Sequence, residues 1–169
     1  MAAPQHSGEY SFYIGWDVGG WNCEKNESSR DGLVILDENL RIVGVPWRGN
    51  IRHSGAKAMT TADWISEMFR LCQKDAPAGS SGIVMAIDAP LGFPQQFSTL
   101  ICGQGWSEPA SASGENPYLF RQTERHLFAL GLSPLSSIKD MIGSQATKAM
   151  HMLAKFASLR HSCGVWTDG

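Results

Sequence analysis

Two apolar runs of this sequence, residues 13–16 and 83–87, are each followed by an aspartate and, within two further residues, by a glycine or a proline. The aromatic and β-branched residues of the first run and the β-branched residues of the second predict buried strands that end at Asp17 and Asp88. Because a carboxylate is costly to remove from water, an acid beside a buried strand normally has a binding partner. The two acids either share a divalent cation at the ends of neighbouring strands or form hydrogen bonds within their own turns.

The length and composition of the chain predict one globular domain. Of its 169 residues, 43% are hydrophobic and 18% are charged, which favours a folded protein over a disordered one. We expect a flexible tail over residues 1–9 and a single domain over residues 10–169. The sequence contains no apolar run of about 18 residues and no signal-like segment at its start, so we expect a cytoplasmic protein with no membrane partner.

The charge and the cysteines exclude some classes of function. A formal net charge of −2 disfavours a strongly basic surface for nonspecific nucleic-acid binding and favours a short or structured nucleic acid as partner. The four cysteines form no CxxC pair, which disfavours a zinc site. We therefore expect reduced, mostly buried thiols.

The first half of the chain alternates strand and turn signals. Asp37-Glu38-Asn39 supplies turn chemistry and predicts a hairpin, and residues 47–58 are interpreted as a loop. Thr60 and Asp63 have the spacing of a helix capping box. The predicted elements are strands over residues 10–18, 32–36, 40–45 and 83–87, and a helix that begins after Thr60 and ends before Pro77.

The second half of the chain is predicted to be mostly helical. Residues 90–115 are rich in glycine, proline and serine and are interpreted as a long irregular segment. Asn116-Pro117 and Gly131 predict a helix over residues 117–130. A further helix is predicted over 145–161, and a short last strand over 164–166. The whole pattern predicts an α/β fold whose mixed sheet has three antiparallel strands, one parallel strand and flanking helices.

Three segments carry a resemblance to a known family. They are Ile14-Gly15-Trp16-Asp17 with Gly19-Gly20, the run from Ala86-Ile87-Asp88 through Ala89-Pro90-Leu91-Gly92-Phe93-Pro94, and Arg121-Gln122-Thr123-Glu124-Arg125. With these residues the chain resembles the family filed as domain of unknown function 429, described as predicted nucleases with a ribonuclease H-like fold. Members often carry a Glu-x-x-Pro element on a strand after the late helices, and this sequence has none there, so we expect no acid from that element.

The resemblance implies a catalytic site for phosphodiester hydrolysis. In the ribonuclease H-like fold the acids of the first and fourth strands lie side by side, which would unite Asp17 and Asp88. Oxygen ligands of this kind favour Mg²⁺ or Mn²⁺. Such ions activate water and stabilise the leaving oxygen of a phosphodiester. Two carboxylates are sufficient to hold one ion.

Glu124 is the third catalytic candidate, with Arg121 and Arg125 as phosphate-binding candidates. On the predicted helix these residues share one side by their i, i+3 and i+4 spacing, and Phe120, Leu127 and Leu130 are predicted to face the core. Glu124 would then contact the metal, and the arginines would bind phosphate. The alternative is a solvated face with local ion pairs.

Glu67 is a weaker candidate, on the helix after the third predicted strand, where an exposed surface role is the alternative. Two other functions also remain open. Gly19-Gly20 resembles the phosphate loop of sugar kinases and actin-like ATPases, which favours a nucleotide-binding or phosphotransfer domain. Alternatively, the protein is an inactive interaction module, in which Asp17 and Asp88 are hydrogen-bonded to loop amides.

Overall fold

The computed structural model describes residues 10–78, 82–108 and 115–157, which fall into two compact units divided after Asp88. The single domain expected over residues 10–169 stays a prediction. The first unit contains β1 (Tyr10–Asp17), β2 (Asp31–Asp37), β3 (Trp47–Gly49), α1 (Arg52–Lys57), α2 (Thr61–Leu71) and β4 (Gly82–Asp88). The second contains α3 (Gln95–Ile101), α4 (Gln122–Ala129) and α5 (Gly143–Phe156).

A four-stranded mixed sheet organises the first unit. The strand order is β3-β2-β1-β4, in which β1 pairs antiparallel with β2, β2 pairs antiparallel with β3, and β1 pairs parallel with β4. A parallel pair requires a long crossover connection, and the chain between β2 and β4 supplies it with α1 and α2. The predicted arrangement of three antiparallel strands and one parallel strand is confirmed.

The two faces of the sheet differ in what covers them. Because side chains alternate along a strand, Phe12 and Trp16 point to one face and Asp17 to the other. The ring centroids of Phe12 and Phe69 are 5.2 Å apart, and those of Trp16 and Trp64 are 6.0 Å apart. Helix α2 therefore covers the face of Trp16, and Asp17 points away from it.

The start of α2 confirms the predicted capping box. The Thr60 hydroxyl accepts a hydrogen bond from the Asp63 amide at 3.1 Å, and the Asp63 carboxylate accepts one from the Thr60 amide at 3.0 Å. The Met59 amide also donates to this carboxylate at 3.1 Å. These hydrogen bonds, that from Met59 foremost, hold the pKa of Asp63 below its usual value.

Replacing Thr60 with alanine is expected to lower the free energy of unfolding by about 1 kcal/mol, because the Asp63 amide loses its acceptor. The measurement is urea denaturation followed by circular dichroism. Ser66→Ala, at an exposed position of the same helix, is the control and should change stability by less than about 0.5 kcal/mol. Equal stabilities for the two variants would contradict a stabilising role for this cap.

The third strand lies later in the sequence than predicted. Residues 40–45 were expected to form it, but Ile42 makes only an isolated bridge to Leu36, and β3 begins at Trp47. Gly44 has a left-handed φ of 71°, and the Val45 amide donates to the Cys72 carbonyl at 2.7 Å instead of to β2. The loop expected over residues 47–58 is also wrong, because that segment contains β3 and α1.

The helices of the second unit are placed differently from the prediction. Asn116-Pro117 begins one turn, in which the Asn116 carbonyl accepts from the Phe120 amide, and α4 starts only at Gln122 after an extended Arg121. Gly131, with a φ of 80°, ends that helix as expected. Helix α3 lies within the segment predicted to be irregular.

The bounds of the last described helix, α5, differ from the prediction. Helix α5 covers Gly143–Phe156, where the prediction was 145–161. Residues 158–161 of that prediction, the predicted strand over 164–166 and the tail expected over residues 1–9 all lie outside the described residues. In the described ranges, no helix combines the length and the apolar character needed to span a bilayer.

Candidate functional site

The strand register brings Asp17 and Asp88 side by side. They are direct partners in the parallel pairing of β1 with β4, although 71 positions separate them in the sequence. Neighbouring strands lie about 4.8 Å apart, and aligned residues of a parallel pair project to the same face. Two carboxylates therefore stand next to each other on the face of the sheet opposite to α2.

Neither carboxylate has the partners expected of a turn-forming acid. Asp17 and Asp88 are exposed, and within the described part of the chain neither side chain forms a hydrogen bond or an ion pair. Asp37 shows the contrast, because its carboxylate accepts hydrogen bonds at 2.9 Å from the amides of both Asn39 and Arg41. The turn interpretation thus describes Asp37 and not the two acids of the parallel pair.

The two aspartates belong to a longer row that crosses the sheet. Asp17 is also aligned with Gly32 of β2, and Gly32 is aligned with Arg48 of β3. We call these four residues, Arg48, Gly32, Asp17 and Asp88, the cross-sheet row. A Cβ atom added to Gly32 would lie 3.6 Å from the Asp17 Cβ atom. Because glycine has no side chain, the space over the middle of the row stays open.

The cross-sheet row lines an open pocket of about 570 Å³. Two residues further along each of the three strands, away from their Asp17 end, Val34, Gly15 and Ala86 are aligned on the same face and also line the pocket. The pocket therefore combines two carboxylates, one guanidinium and a floor of small apolar residues. Arg48 was missed in the sequence, because residues 47–58 were interpreted as a loop and no local signal pairs Arg48 with Gly32.

The backbone amides of Gly19 and Gly20, which follow β1, both donate hydrogen bonds to other groups of the protein. The Gly19 amide donates to the Asp31 carboxylate at 2.8 Å, and the Gly20 amide donates to the Ser29 carbonyl at 3.0 Å. Both glycines are buried, and a Cβ atom at Gly19 would lie 2.3 Å from the Ser29 carbonyl oxygen. Since a phosphate loop needs such amides for its ligand, this geometry disfavours phosphate binding by Gly19-Gly20.

Asp31 is an acid of this region that the sequence analysis did not identify. Its carboxylate is 0% exposed and accepts hydrogen bonds from the Trp16 indole at 3.1 Å and from the Ile51 amide at 2.9 Å, besides that of Gly19. A buried carboxylate that accepts these hydrogen bonds is a structural centre, because it fixes β1, its following loop and the start of α1 together. It lies beside Gly32, at the end of the sheet that carries the cross-sheet row.

Glu124 caps its own helix. It is 4% exposed, and its carboxylate accepts hydrogen bonds from the Arg121 backbone amide at 2.8 Å and from the Arg121 Nε atom at 2.9 Å. The Arg121 Nη2 atom forms an ion pair with the same carboxylate. A metal ion would have to displace Arg121 from both oxygens, and the role of Glu124 as a ligand stays a prediction.

The other residues predicted on α4 differ in their burial and surroundings. Arg121 and Arg125 line a polar pocket of about 290 Å³ in the second unit, so a role in binding phosphate stays a prediction. Of the residues expected in the core, Phe120 is buried, Leu127 is half-buried and Leu130 is 63% exposed. Leu130 was predicted wrongly because it lies beyond the last helical residue, Ala129.

Glu67 is held on its own helix. The Arg70 guanidinium donates to both Glu67 oxygens, at 3.0 and 2.8 Å, and keeps the pKa of that carboxyl below its usual value. Its helix, α2, covers the face opposite to Asp17. Across the residues that the structure describes, no three histidine, cysteine, aspartate or glutamate side chains form a group suited to a metal ion.

Two of the three described cysteines are buried, in agreement with the prediction of mostly buried thiols. Cys23 and Cys72 are buried and unbridged, whereas Cys102 is exposed. Burial raises the pKa of the Cys72 thiol, which keeps it protonated and unreactive near neutral pH. Cys163 lies outside the described residues.

Comparisons with protein-family models, with curated proteins and with solved structures found no match for this chain. The resemblance to the domain of unknown function 429 family therefore stays a prediction. The three candidate functions differ in what they require of Asp17, Asp88 and the amides of Gly19-Gly20, and these are groups whose surroundings the structure describes.

Proposed function

We propose that this protein is a divalent-cation-dependent phosphodiesterase of the ribonuclease H-like type, in which Asp17 and Asp88 hold Mg²⁺ or Mn²⁺. One observation carries the proposal: the two carboxylates are aligned on neighbouring strands, exposed, and without a partner in the described residues. When bound, such an ion activates a water molecule and stabilises the charge that develops on phosphoryl oxygens.

The electrostatics of the pair support this assignment. Like charges at aligned positions of neighbouring strands destabilise a sheet, and Asp17 and Asp88 have no cation within ion-pair distance among the described residues. A divalent cation held by both carboxylates would offset this repulsion. Carboxylate oxygens are also the ligands that Mg²⁺ and Mn²⁺ prefer.

The same geometry disfavours the two alternatives. A nucleotide-binding loop needs amides that face a ligand, and those of Gly19 and Gly20 donate to Asp31 and Ser29. An inactive interaction module predicts Asp17 and Asp88 hydrogen-bonded to loop amides, which the described residues do not show. A metal-dependent hydrolase requires available carboxylates, as found here.

The proposed substrate class and cellular location rest on the sequence alone. The net charge of −2 favours a short or structured nucleic acid over long duplexes. Glu124, Arg121 and Arg125 remain candidates for further contacts to metal and phosphate. A cytoplasmic location also remains a prediction.

The first test is Mn²⁺ binding by titration calorimetry. We expect the parent protein to bind Mn²⁺, and Asp17→Asn and Asp88→Asn each to weaken the affinity about tenfold or more, because each substitution removes one charged ligand. Asp75→Asn changes an exposed acid outside the cross-sheet row and should leave the affinity unchanged. Circular dichroism establishes that all variants are folded.

Two results would overturn the proposal. One is a folded parent protein that binds no Mn²⁺, and the other is an affinity that neither substitution in the row changes. Loss of binding in Asp75→Asn as well would show that the ion follows net charge rather than a defined site.

A further inference from the structure

Arg48 stands at the far end of the cross-sheet row from Asp88. Its register partner is Gly32, which is itself the partner of Asp17, so Arg48 and Asp17 lie two strands apart on one face. That separation is about 10 Å between Cα atoms. Within the described residues Arg48 is exposed and forms no ion pair or side-chain hydrogen bond.

The glycine between the two charges leaves space for a ligand. A side chain at Gly32 would project over the floor beside Asp17, whereas the glycine leaves this part of the pocket open. Arginine presents a planar set of N–H donors that matches the oxygens of a phosphate group. An anion lying over Gly32 would therefore be flanked by the guanidinium on one side and by the carboxylates with their cation on the other.

We propose that Arg48 binds the non-bridging oxygens of the substrate phosphate and that this site takes organic phosphodiesters in preference to phosphomonoesters. This inference rests on the proposed function. With a divalent cation bound, Asp17, Asp88 and Arg48 leave one net positive charge, which a singly charged diester balances. A monoester carries close to two negative charges at neutral pH and would leave the site negative.

The floor of the pocket accounts for the organic part of the substrate. Val34, Gly15 and Ala86 lie next to the charged row on the same face, and none of them projects a polar side chain. A group esterified to the phosphate therefore has an apolar surface beside it. A diester has two such groups, and the open pocket does not enclose either of them.

The test is a calorimetric titration of the protein with diphenyl phosphate and with phenyl phosphate, each with and without saturating Mn²⁺. We expect the Mn²⁺-loaded parent to bind diphenyl phosphate more tightly than phenyl phosphate. Arg48→Ala should weaken diphenyl phosphate binding about tenfold while retaining Mn²⁺ binding, because it removes a charged donor to phosphate. Arg48→Lys should lie between, since it keeps the charge without the planar set of donors.

Arg41→Ala is the matched control. Arg41 is an exposed arginine of the same unit. Its backbone amide donates a hydrogen bond to Asp37, which lies at the opposite end of β2 from Gly32. The Arg41→Ala variant should leave the affinity for diphenyl phosphate unchanged. Equal weakening by Arg41→Ala and Arg48→Ala would show a general effect of charge and would overturn the assignment to Arg48.

The remaining outcomes separate this inference from the proposed function. Absence of Mn²⁺ binding in the parent contradicts the proposed function. Normal Mn²⁺ binding with unchanged diphenyl phosphate affinity in Arg48→Ala, or with no diester binding at all, leaves the proposed metal site in place and overturns the role of Arg48. Tighter binding of phenyl phosphate than of diphenyl phosphate overturns the substrate class.

Discussion

Replacing Asp31 with alanine is expected to lower the free energy of unfolding by about 3–5 kcal/mol, the large cost typical of breaking a buried hydrogen-bond network. The carboxylate is 0% exposed and accepts hydrogen bonds from Trp16, Gly19 and Ile51. Its removal leaves three donors without an acceptor, and each unsatisfied buried donor costs about 1–3 kcal/mol. Relaxation and entering water keep the total below the sum.

The measurement is urea denaturation of the parent and of Asp31→Ala, analysed with a common dependence of the unfolding free energy on urea concentration. Asp31→Asn keeps the shape of the side chain and one acceptor oxygen, so its loss should lie between the parent and the alanine variant. Asp75→Ala, at an exposed position, should change stability by less than about 0.5 kcal/mol. A loss below about 1 kcal/mol in Asp31→Ala would contradict the structural role of this carboxylate.

The elements that the sequence predicts well are those whose signals are local. The aromatic and β-branched residues of β1 and the apolar, β-branched run of β4 place these strands to within a residue or two, and the Thr60–Asp63 capping box places the start of α2. In each case the residues that carry the signal also make the interactions that stabilise the element. Local preference and tertiary structure agree there, and agreement of this kind is what makes an element predictable.

The misplaced elements depend on contacts between distant residues. Residues 40–45 have the composition of a strand, but the Val45 amide bonds to the Cys72 carbonyl, 27 positions away, and the chain leaves β2. The short β3 is defined by its pairing with Gly32 and its neighbours, which no feature of residues 47–49 reveals. Arg48 could not be recognised as a site residue before that register was known.

Three acids at one end of the sheet show why a sequence cannot by itself separate structural from functional carboxylates. Asp17, Asp31 and Asp88 all lie at strand ends, and each is followed within three residues by glycine or proline. Asp31 is buried with three donors, whereas Asp17 and Asp88 are exposed without partners in the described residues. The direction of each side chain relative to α2 makes this difference, because alternation sends Trp16 into the core and Asp17 out of it.

The largest effect on activity is expected at the two exposed acids. Asp17→Asn and Asp88→Asn should each reduce Mn²⁺-dependent hydrolysis of bis(4-nitrophenyl) phosphate about a thousandfold, which corresponds to about 4 kcal/mol of transition-state stabilisation. The hydrolysis rate of the double variant should be no lower than that of the less active single variant. Two ligands of one ion act as a unit, so removing either already removes what the ion supplies.

This comparison separates a shared ion from two independent carboxylates. Independent contributions multiply, so the double variant would then fall about another thousandfold below either single variant. Initial rates are measured at one fixed Mn²⁺ concentration near the parent's dissociation constant, since a large excess of ion would partly restore binding to a single carboxylate. Asp75→Asn should retain the parent rate. A multiplicative loss would assign separate roles to Asp17 and Asp88, and full activity in the double variant would place the chemistry elsewhere on the protein.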